Sequence, residues 1–245
     1  FENDRFRLFY QNILPIGSEY GCFSHREILL RMIDEDGREI APGEFVPAAE
    51  KYHLMPLIDR WVIRTLFSHN AAMWRAAFTL LKNSEGTAMP LCCINLSGAS
   101  LNDDYFPLFL HDQLNLHQIP PQSVCFEITE TAAINNLEKV SALIAELKKS
   151  GVSFSLDDFG SGMSSFTYLK SLPVDFLKID GSLVKNIDRD KTDFCMVEAI
   201  NKIAHEMSIM TIAEFVGNHG VIEKLKSIGV NFAQGYCIHQ PERLY

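Results

Sequence analysis

No apolar run in this chain approaches the length of a membrane span; one candidate, W-V-I-R-T-L-F at 61–67, is broken by Arg64. A transmembrane segment is therefore not expected, and neither is direct membrane insertion by this domain. Positive charge is scarce as well: 22 Lys and Arg stand against 31 Asp and Glu, a net charge of -9. A surface that coats a polyanion needs many basic contacts to phosphates, so the charge argues against long nucleic acid as a partner, while a small anion held through metal ions is compatible with it. The six cysteines form no C-x-x-C pair, and the eight histidines form no H-E-x-x-H or other paired ligand spacing, which argues against a zinc site. Cys92, Cys93 and Cys125 sit in apolar, strand-like runs, where free thiols behave as small hydrophobes, and the cysteines read as reduced and the setting as cytoplasmic. A basic leader with an apolar core is missing too. The opening F-E-N-D-R-F-R reads as a domain excised from a larger protein, whose other domains would be partners in the same chain and whose membrane anchor, if it has one, would lie elsewhere.

What is present suits a globular core. The chain has 245 residues, 47% hydrophobic and 22% charged, enough for one large α/β domain or two small ones. Strand-like runs at Phe6 to Ile13 and Arg26 to Met32 flank a turn at Gly17 to Gly21 and can pair as a hairpin. A turn follows at Asp34 to Arg38, then a short helix from Pro47 and an amphipathic helix over Pro56 to Phe67. Phe45, Tyr52, Trp61, Phe67 and Trp74 are expected to pack these helices on the core. Lys82 to Pro90 reads as a loop.

Beyond that loop, apolar strands alternate with helical stretches, the mark of βα units around a parallel sheet. The strands are Leu91 to Leu96, Val124 to Ile128, the run from Val152, Phe176 to Ile179, Ile209 to Glu214 and Asn231 to Tyr236. The helices lie within Asp103 to Asn115, and at Asn135 to Lys149, Ser164 to Lys170, Thr192 to Met207 and Asn218 to Ile228. Six such units after a hairpin fit the ~250 residues of a closed TIM-type barrel. An open doubly wound sheet is the second choice, because G-S-G-M-S-S puts Ser165 where the third glycine of a dinucleotide fingerprint belongs.

Polar residues recur at or just past the ends of these apolar strands: Asn95, Glu127, the adjacent Asp157 and Asp158, Lys178 and Glu214. Glu27, inside the second strand, joins them if that strand also lines the barrel. Taken singly, each has a plain structural role: Asp158 as a cap or turn former, Glu127 as a partner for Lys178, Asn95 as turn chemistry. Taken together, carboxylates in apolar runs are costly unless paired or bound to a cation, and a barrel brings its C-terminal strand ends to one mouth. An oxygen-only set suits Mg²⁺ or Mn²⁺, and two such ions would activate water and clamp a phosphoryl group for in-line displacement.

The motifs that carry these residues resemble those of the EAL family of bacterial cyclic di-GMP phosphodiesterases over nearly the whole chain. They are Y-Q at 10–11, E-I-L-L-R at 27–31, P-G-E-F-V-P-A-A-E at 42–50, I-N-L-S at 94–97, F-E-I-T-E at 126–130 and D-D-F-G-S-G at 157–162. Y-L-K-S-L-P at 168–173, L-K-I-D at 177–180, A-E-F-V at 213–216 and Q-G-Y at 234–236 follow in order. The resemblance implies a single domain over 1–245, a modified (β/α)8 barrel with an N-terminal antiparallel strand, and hydrolysis of cyclic di-GMP to linear pGpG with two Mg²⁺ or Mn²⁺ ions. It implies Glu27, Asn95, Glu127 and Asp157 as ligands of one ion, with Asp157 bridging to a second near Asp158 and Glu214. Lys178 matches the lysine that contacts the nucleophilic water. Gln11, Arg31, Asp180 and Gln234 match substrate-contacting positions, and Glu130 matches the anchor of the loop after Asp158, which links the site to a homodimer interface. The chain departs from the family in E-I-L for E-A-L, in Asn12 where proline is frequent, and in Gly217 where a second glutamate is usual. The last departure keeps open an alternative, a catalytically weak cyclic di-GMP receptor that signals to attached domains.

Overall fold

The computed structural model describes residues 5–17, 25–82, 91–162 and 166–245. Ten strands form one sheet that closes on itself. They are β1 Phe6–Pro15, β2 His25–Ile33, β3 Glu39–Ile40, β4 Cys92–Asn95, β5 Val124–Thr129, β6 Ser153–Phe159, β7 Phe176–Ile179, β8 Met210–Ala213, β9 Phe232–Ala233 and β10 Glu242–Arg243. Strands β2 and β4 to β9 are parallel neighbours, and β1 closes the barrel by running antiparallel to β2 on one side and to β9 on the other. This is the expected barrel with an antiparallel first strand. The short β3 and β10 only extend its edges.

The helices are α1 Pro42–Lys51, α2 Met55–Lys82, α3 Gly98–Leu101, α4 Phe106–His117, α5 Glu130–Asn135, α6 Leu137–Lys148, α7 Phe166–Leu169, α8 Gly181–Val184, α9 Lys191–Glu206 and α10 His219–Ile228. They cover the outer face of the barrel. Outward residues such as Ile94, Phe126, Phe154 and Leu177 pack against them in the main core. Inward residues Ile13, Leu91, Cys93, Cys125, Phe176, Ile212 and Phe232 form a separate apolar plug below the mouth. Period-2 alternation in each strand separates the two cores.

Several boundaries differ from the sequence expectation. Helix α1 begins at Pro42, not Pro47: Ala41 is extended (ψ 154°) and Pro42 occupies the first helical turn, where a missing N–H is harmless, while Pro47 is carried inside the helix. Helix α2 continues past Phe67 to Lys82. Burial of Asn70, Ala71 and Trp74 carries it through Ser68-His69-Asn70, residues of modest helix propensity. The predicted helix Asn135 to Lys149 is α6, which starts two residues later, at Leu137; Asn136, whose φ of -151° is not helical, separates it from α5, to which Asn135 belongs. Phe45, Phe67 and Trp74 are buried as expected, but Tyr52 caps the C-terminus of α1 and is 67% exposed. Residues 18–21 of the predicted turn, residues 83–90 of the predicted loop, and Ser164, Ser165 and Cys22 lie outside the described residues.

Three short helices follow barrel strands by one rule. Ser97, Thr129 and Asp180 each stand at the end of a strand or within two residues past it and accept, through a side-chain oxygen, the N–H of Ser100, Ala132 and Ser182. Each N-cap stands two residues after an inward polar residue: Asn95, Glu127 and Lys178. The chain thus turns out of the barrel at a fixed distance beyond each of those side chains.

Candidate active site

Every strand of the closed barrel sends one polar side chain into a layer above the apolar plug. Gln11 on β1 is directly opposite Glu27 on β2, and Asn95 on β4 is level with Glu127 on β5. Asp157 on β6 and Lys178 on β7 continue the ring, and Glu214 and Gln234 complete it one residue past β8 and β9. The sequence-predicted residues Glu27, Asn95, Glu127, Asp157, Lys178 and Glu214 therefore converge from positions up to 187 apart, 214 minus 27.

Lys178 is the centre of the layer. Its Nζ lies 3.3 Å from Glu27 Oε2, 3.1 Å from Glu127 Oε2, 3.2 Å from Asp157 Oδ1 and 2.9 Å from Glu214 Oε1, and the residue is 1% exposed. Burial pulls its pKa down, but the four carboxylates more than offset this and hold it well above the usual lysine value. One ammonium cannot serve four carboxylates equally. Burial would raise Glu27, yet Lys178 and hydrogen bonds donated by Gln234 Nε2 at 2.6 Å and Asn95 Nδ2 at 2.8 Å hold it below the usual range. For the others burial wins: Glu127 is pushed well up, Asp157 is raised, and Glu214 is pushed to about 8. The layer is short of positive charge.

Strand alternation alone would send Asp158 away from Asp157. Instead the register of β6 against β7 shifts between Leu156 and Phe159, and Asp158 takes a left-handed backbone (φ 59°). A bulge of this kind re-aims a side chain, and aspartate is among the few residues that tolerate positive φ. Asp157, Asp158 and Glu214 consequently each offer an oxygen, all within 4.8 Å of one another. The pKa of Asp158 is raised by burial and by the neighbouring Asp157.

The donor chemistry fits hard divalent cations. The convergent ligands are carboxylate and amide oxygens, Glu127 Oε1 is buried without a hydrogen-bond partner among the described residues, and the oxygen triad of Asp157, Asp158 and Glu214 is preassembled.

Above the layer opens a cleft of about 510 Å³, bordered by Gln11, Glu27, Asp158, Glu214 and Gln234. Gln234 Nε2 also donates to Gln11 Oε1 at 2.9 Å, so these two amides form one wall. Strand β4 ends level with Leu29, whereas β2 continues to Ile33; the β1–β2 pair therefore overhangs the mouth and carries Arg31, whose guanidinium lies 5.7 Å from the Phe9 ring centre. Asp180 stands at the opposite rim as the cap of α8, near enough to Asp158 to help raise its pKa. Glu130 accepts a short hydrogen bond from the Tyr168 hydroxyl and another from Gly160 N at 3.4 Å, which ties down the loop after Asp158. Leu29, Phe215, Gly217 and Tyr236 also border the cleft and carry no polar signal in the sequence. Phe215 and Tyr236 were detectable only as neighbours of Glu214 and Gln234.

A closed α/β barrel whose polar residues gather at the C-terminal ends of its strands belongs to the TIM-type barrel class, which carries its chemistry at that face. The chain matches the EAL domain model over residues 1–241, and it belongs to that family. It is 42% identical over 243 residues to the cyclic di-GMP phosphodiesterase PdeB of Shewanella oneidensis, covering 99% of this chain and 27% of that protein. It is 36% identical to the cyclic di-GMP phosphodiesterase PdeA of Borreliella burgdorferi, covering 98% of this chain and 34% of the relative. The chain thus spans about a third or less of the length of these relatives. Among solved structures it is similar to the PaMucR phosphodiesterase in a c-di-GMP complex, with a TM-score of 0.85, 28% identity, and coverage of 99% of this chain and 94% of the other. The FimX EAL domain of Pseudomonas aeruginosa bound to c-di-GMP gives a TM-score of 0.86 at 28% identity, with 98% and 92% coverage.

Proposed function

We propose that this domain is a divalent-cation-dependent phosphodiesterase that hydrolyses cyclic di-GMP to linear pGpG. The observation that carries this reading is the Lys178 cluster: four carboxylates from four strands around one buried ammonium, within an oxygen-only layer. Glu27, Asn95, Glu127 and Asp157 would hold one Mg²⁺ or Mn²⁺, and Asp157, Asp158 and Glu214 a second. When bound, the ions supply a lowered pKa for water and neutralise charge developing on the phosphoryl oxygens. Lys178 keeps the carboxylates converged and offers an N–H to the attacking water. Gln11 and Gln234 present amides to the substrate, Arg31 supplies a cation on the overhanging wall, and Asp180 accepts from base or ribose at the facing rim. Exposed rings of Phe215 (57%) and Tyr236 (70%) beside the cleft suit flat nucleobases. Glu130, by fixing the loop after Asp158, would join the site to a homodimer interface, which sedimentation of the isolated domain tests. A cytoplasmic location goes with this substrate.

Incubation with cyclic di-GMP and Mg²⁺ or Mn²⁺ is expected to yield pGpG, and Glu27→Ala to abolish turnover. A second reading, the receptor, is favoured by Gly217, which borders the cleft and would place no carboxylate there. Tight binding of cyclic di-GMP with no product in either metal would select the receptor; absence of binding would reject both readings.

A further inference from the structure

Asp59, on the outer helix α2, is 4% exposed, and no cation among the described residues pairs with it. Its neighbour Arg60 is committed to Asp103 at 2.7 Å. Oδ2 of Asp59 instead accepts three hydrogen bonds: from Ser97 N at 3.0 Å, Ser97 Oγ at 2.6 Å and Ser100 Oγ at 2.7 Å. Capping does not explain this expense. Ser97 already caps α3 with its own hydroxyl, which accepts from Ser100 N at 3.2 Å, as Thr129 caps α5 with no carboxylate among the described residues bonded behind it. Moving a carboxylate out of water costs several kcal/mol even where hydrogen bonds replace the water, so a neutral residue would hold a simple turn more cheaply.

What Asp59 adds is a clamp on the chain that follows Asn95. Strand β4 has four residues and ends on Asn95. On one side, Leu96 N donates to the Glu127 carbonyl at 2.8 Å; on the other, Ser97 N donates to Asp59. The Asn95 peptide is thus held between β5 and α2. Its side-chain Nδ2 is committed to Glu27 Oε1 at 2.8 Å, so that the amide oxygen is the atom left for a ligand in the mouth. Fixing the backbone on both sides fixes the direction of that oxygen.

We propose that Asp59 is a positioning residue: acting through Ser97, it orients the Asn95 amide oxygen for a divalent cation. This rests on the metal-site reading above. Calorimetric titration of the domain with Mn²⁺ in the absence of nucleotide, alongside metal-free melting curves, tests it. Asp59→Asn is expected to weaken Mn²⁺ binding by about tenfold or more, the usual effect of losing a residue that orients a ligand. Ser100→Ala, which removes one of the three donors and spares the carboxylate, is expected to weaken it by a smaller factor and keeps the test open if Asp59→Asn does not fold. Arg60→Ala, which breaks the adjacent α2 ion pair, is expected to lower the melting temperature and leave Mn²⁺ affinity at the wild-type value. The proposal is overturned if Asp59→Asn and Ser100→Ala bind Mn²⁺ like wild type, or if Arg60→Ala weakens binding as much as they do. Asn95→Ala separates the two levels: weakened binding there with Asp59→Asn unaffected rejects only the positioning role, while unchanged binding in Asn95→Ala rejects the metal site and this role with it.

Discussion

Lys178 stabilises a layer that would otherwise repel itself, and its removal has a pH signature. In Lys178→Met four buried carboxylates lose their shared cation, and breaking a buried pair in this way costs about 3–5 kcal/mol near neutral pH. Glu127, Asp157 and Glu214 already titrate above their unfolded values in the native protein, Glu214 at about 8, and without the ammonium they move further in that direction. Between the ordinary carboxylate range and that elevated range the folded variant binds more protons than its unfolded chain, so its stability falls as pH rises and recovers as pH drops. Guanidinium unfolding midpoints at pH 8 and pH 6 should therefore show the deficit against wild type shrinking on acidification; a deficit independent of pH would contradict this account. At this scale the sequence was readable wherever a charge interrupts an apolar run, which is why Glu27, Glu127, Asp157, Lys178 and Glu214 stand out. Gln11 and Gln234 are not anomalies in their strands, and only family resemblance marked them. Asp59 could not be read at all, since a carboxylate in an amphipathic helix looks like one more solvated position. The left-handed turn at Asp158 is likewise unwritten in its neighbours, because a long-range register shift produces it.

Two glycines separate what an element needs from what the site needs. Gly229 ends α10 in a left-handed conformation (φ 85°), its N–H donated to the carbonyls of Leu225 and Lys226. Gly229→Ala is expected to cost about 1–2 kcal/mol in stability and leave cyclic di-GMP turnover unchanged. Gly235 follows Gln234, and a Cβ there would stand 2.3 Å from the backbone nitrogen of Val216 and 2.4 Å from its oxygen. Backbone cannot yield as a side-chain tip can. Gly235→Ala should lie at the upper end of about 1–3 kcal/mol and also raise the KM, because the shift displaces Gln234 from Gln11 and Glu27. Equal KM values for the two variants would refute the link between Gly235 and the amide wall. Elements of strong period were legible in outline, as in α9 and α10, whereas the short helices α3, α5 and α8 offer too few residues for any periodicity to register. Ser97, Thr129 and Asp180 are of residue types that cap helices, but a cap announces a helix only when an apolar pattern follows it.

For the whole molecule, a ligand that binds only the native state raises its stability by about 2.7 kcal/mol at a hundredfold excess over Kd. In a domain of this size that is a rise of roughly 5–10 °C in melting temperature. Mg²⁺ or Mn²⁺ should produce such a rise in wild type and not in Asp157→Asn, as read by scanning calorimetry with and without chelator; equal shifts in both would place the ions elsewhere. The closed barrel was foreseeable from the succession of βα units, but the pairing that closes it was not, because a hairpin in sequence does not say that β1 will also meet β9. That pairing also sets where the chain enters. Since β1 runs against its neighbours, its first residue, Phe6, pairs with Met32 at the overhanging rim, and the strand then descends to Gln11 in the polar layer. A (β/α)8 barrel begun by a parallel strand would take in its chain at the opposite face. Here the described chain enters at the mouth, at Arg5, and the ladder between β1 and β2 runs unbroken from that rim down to the amide of Gln11 in the polar layer.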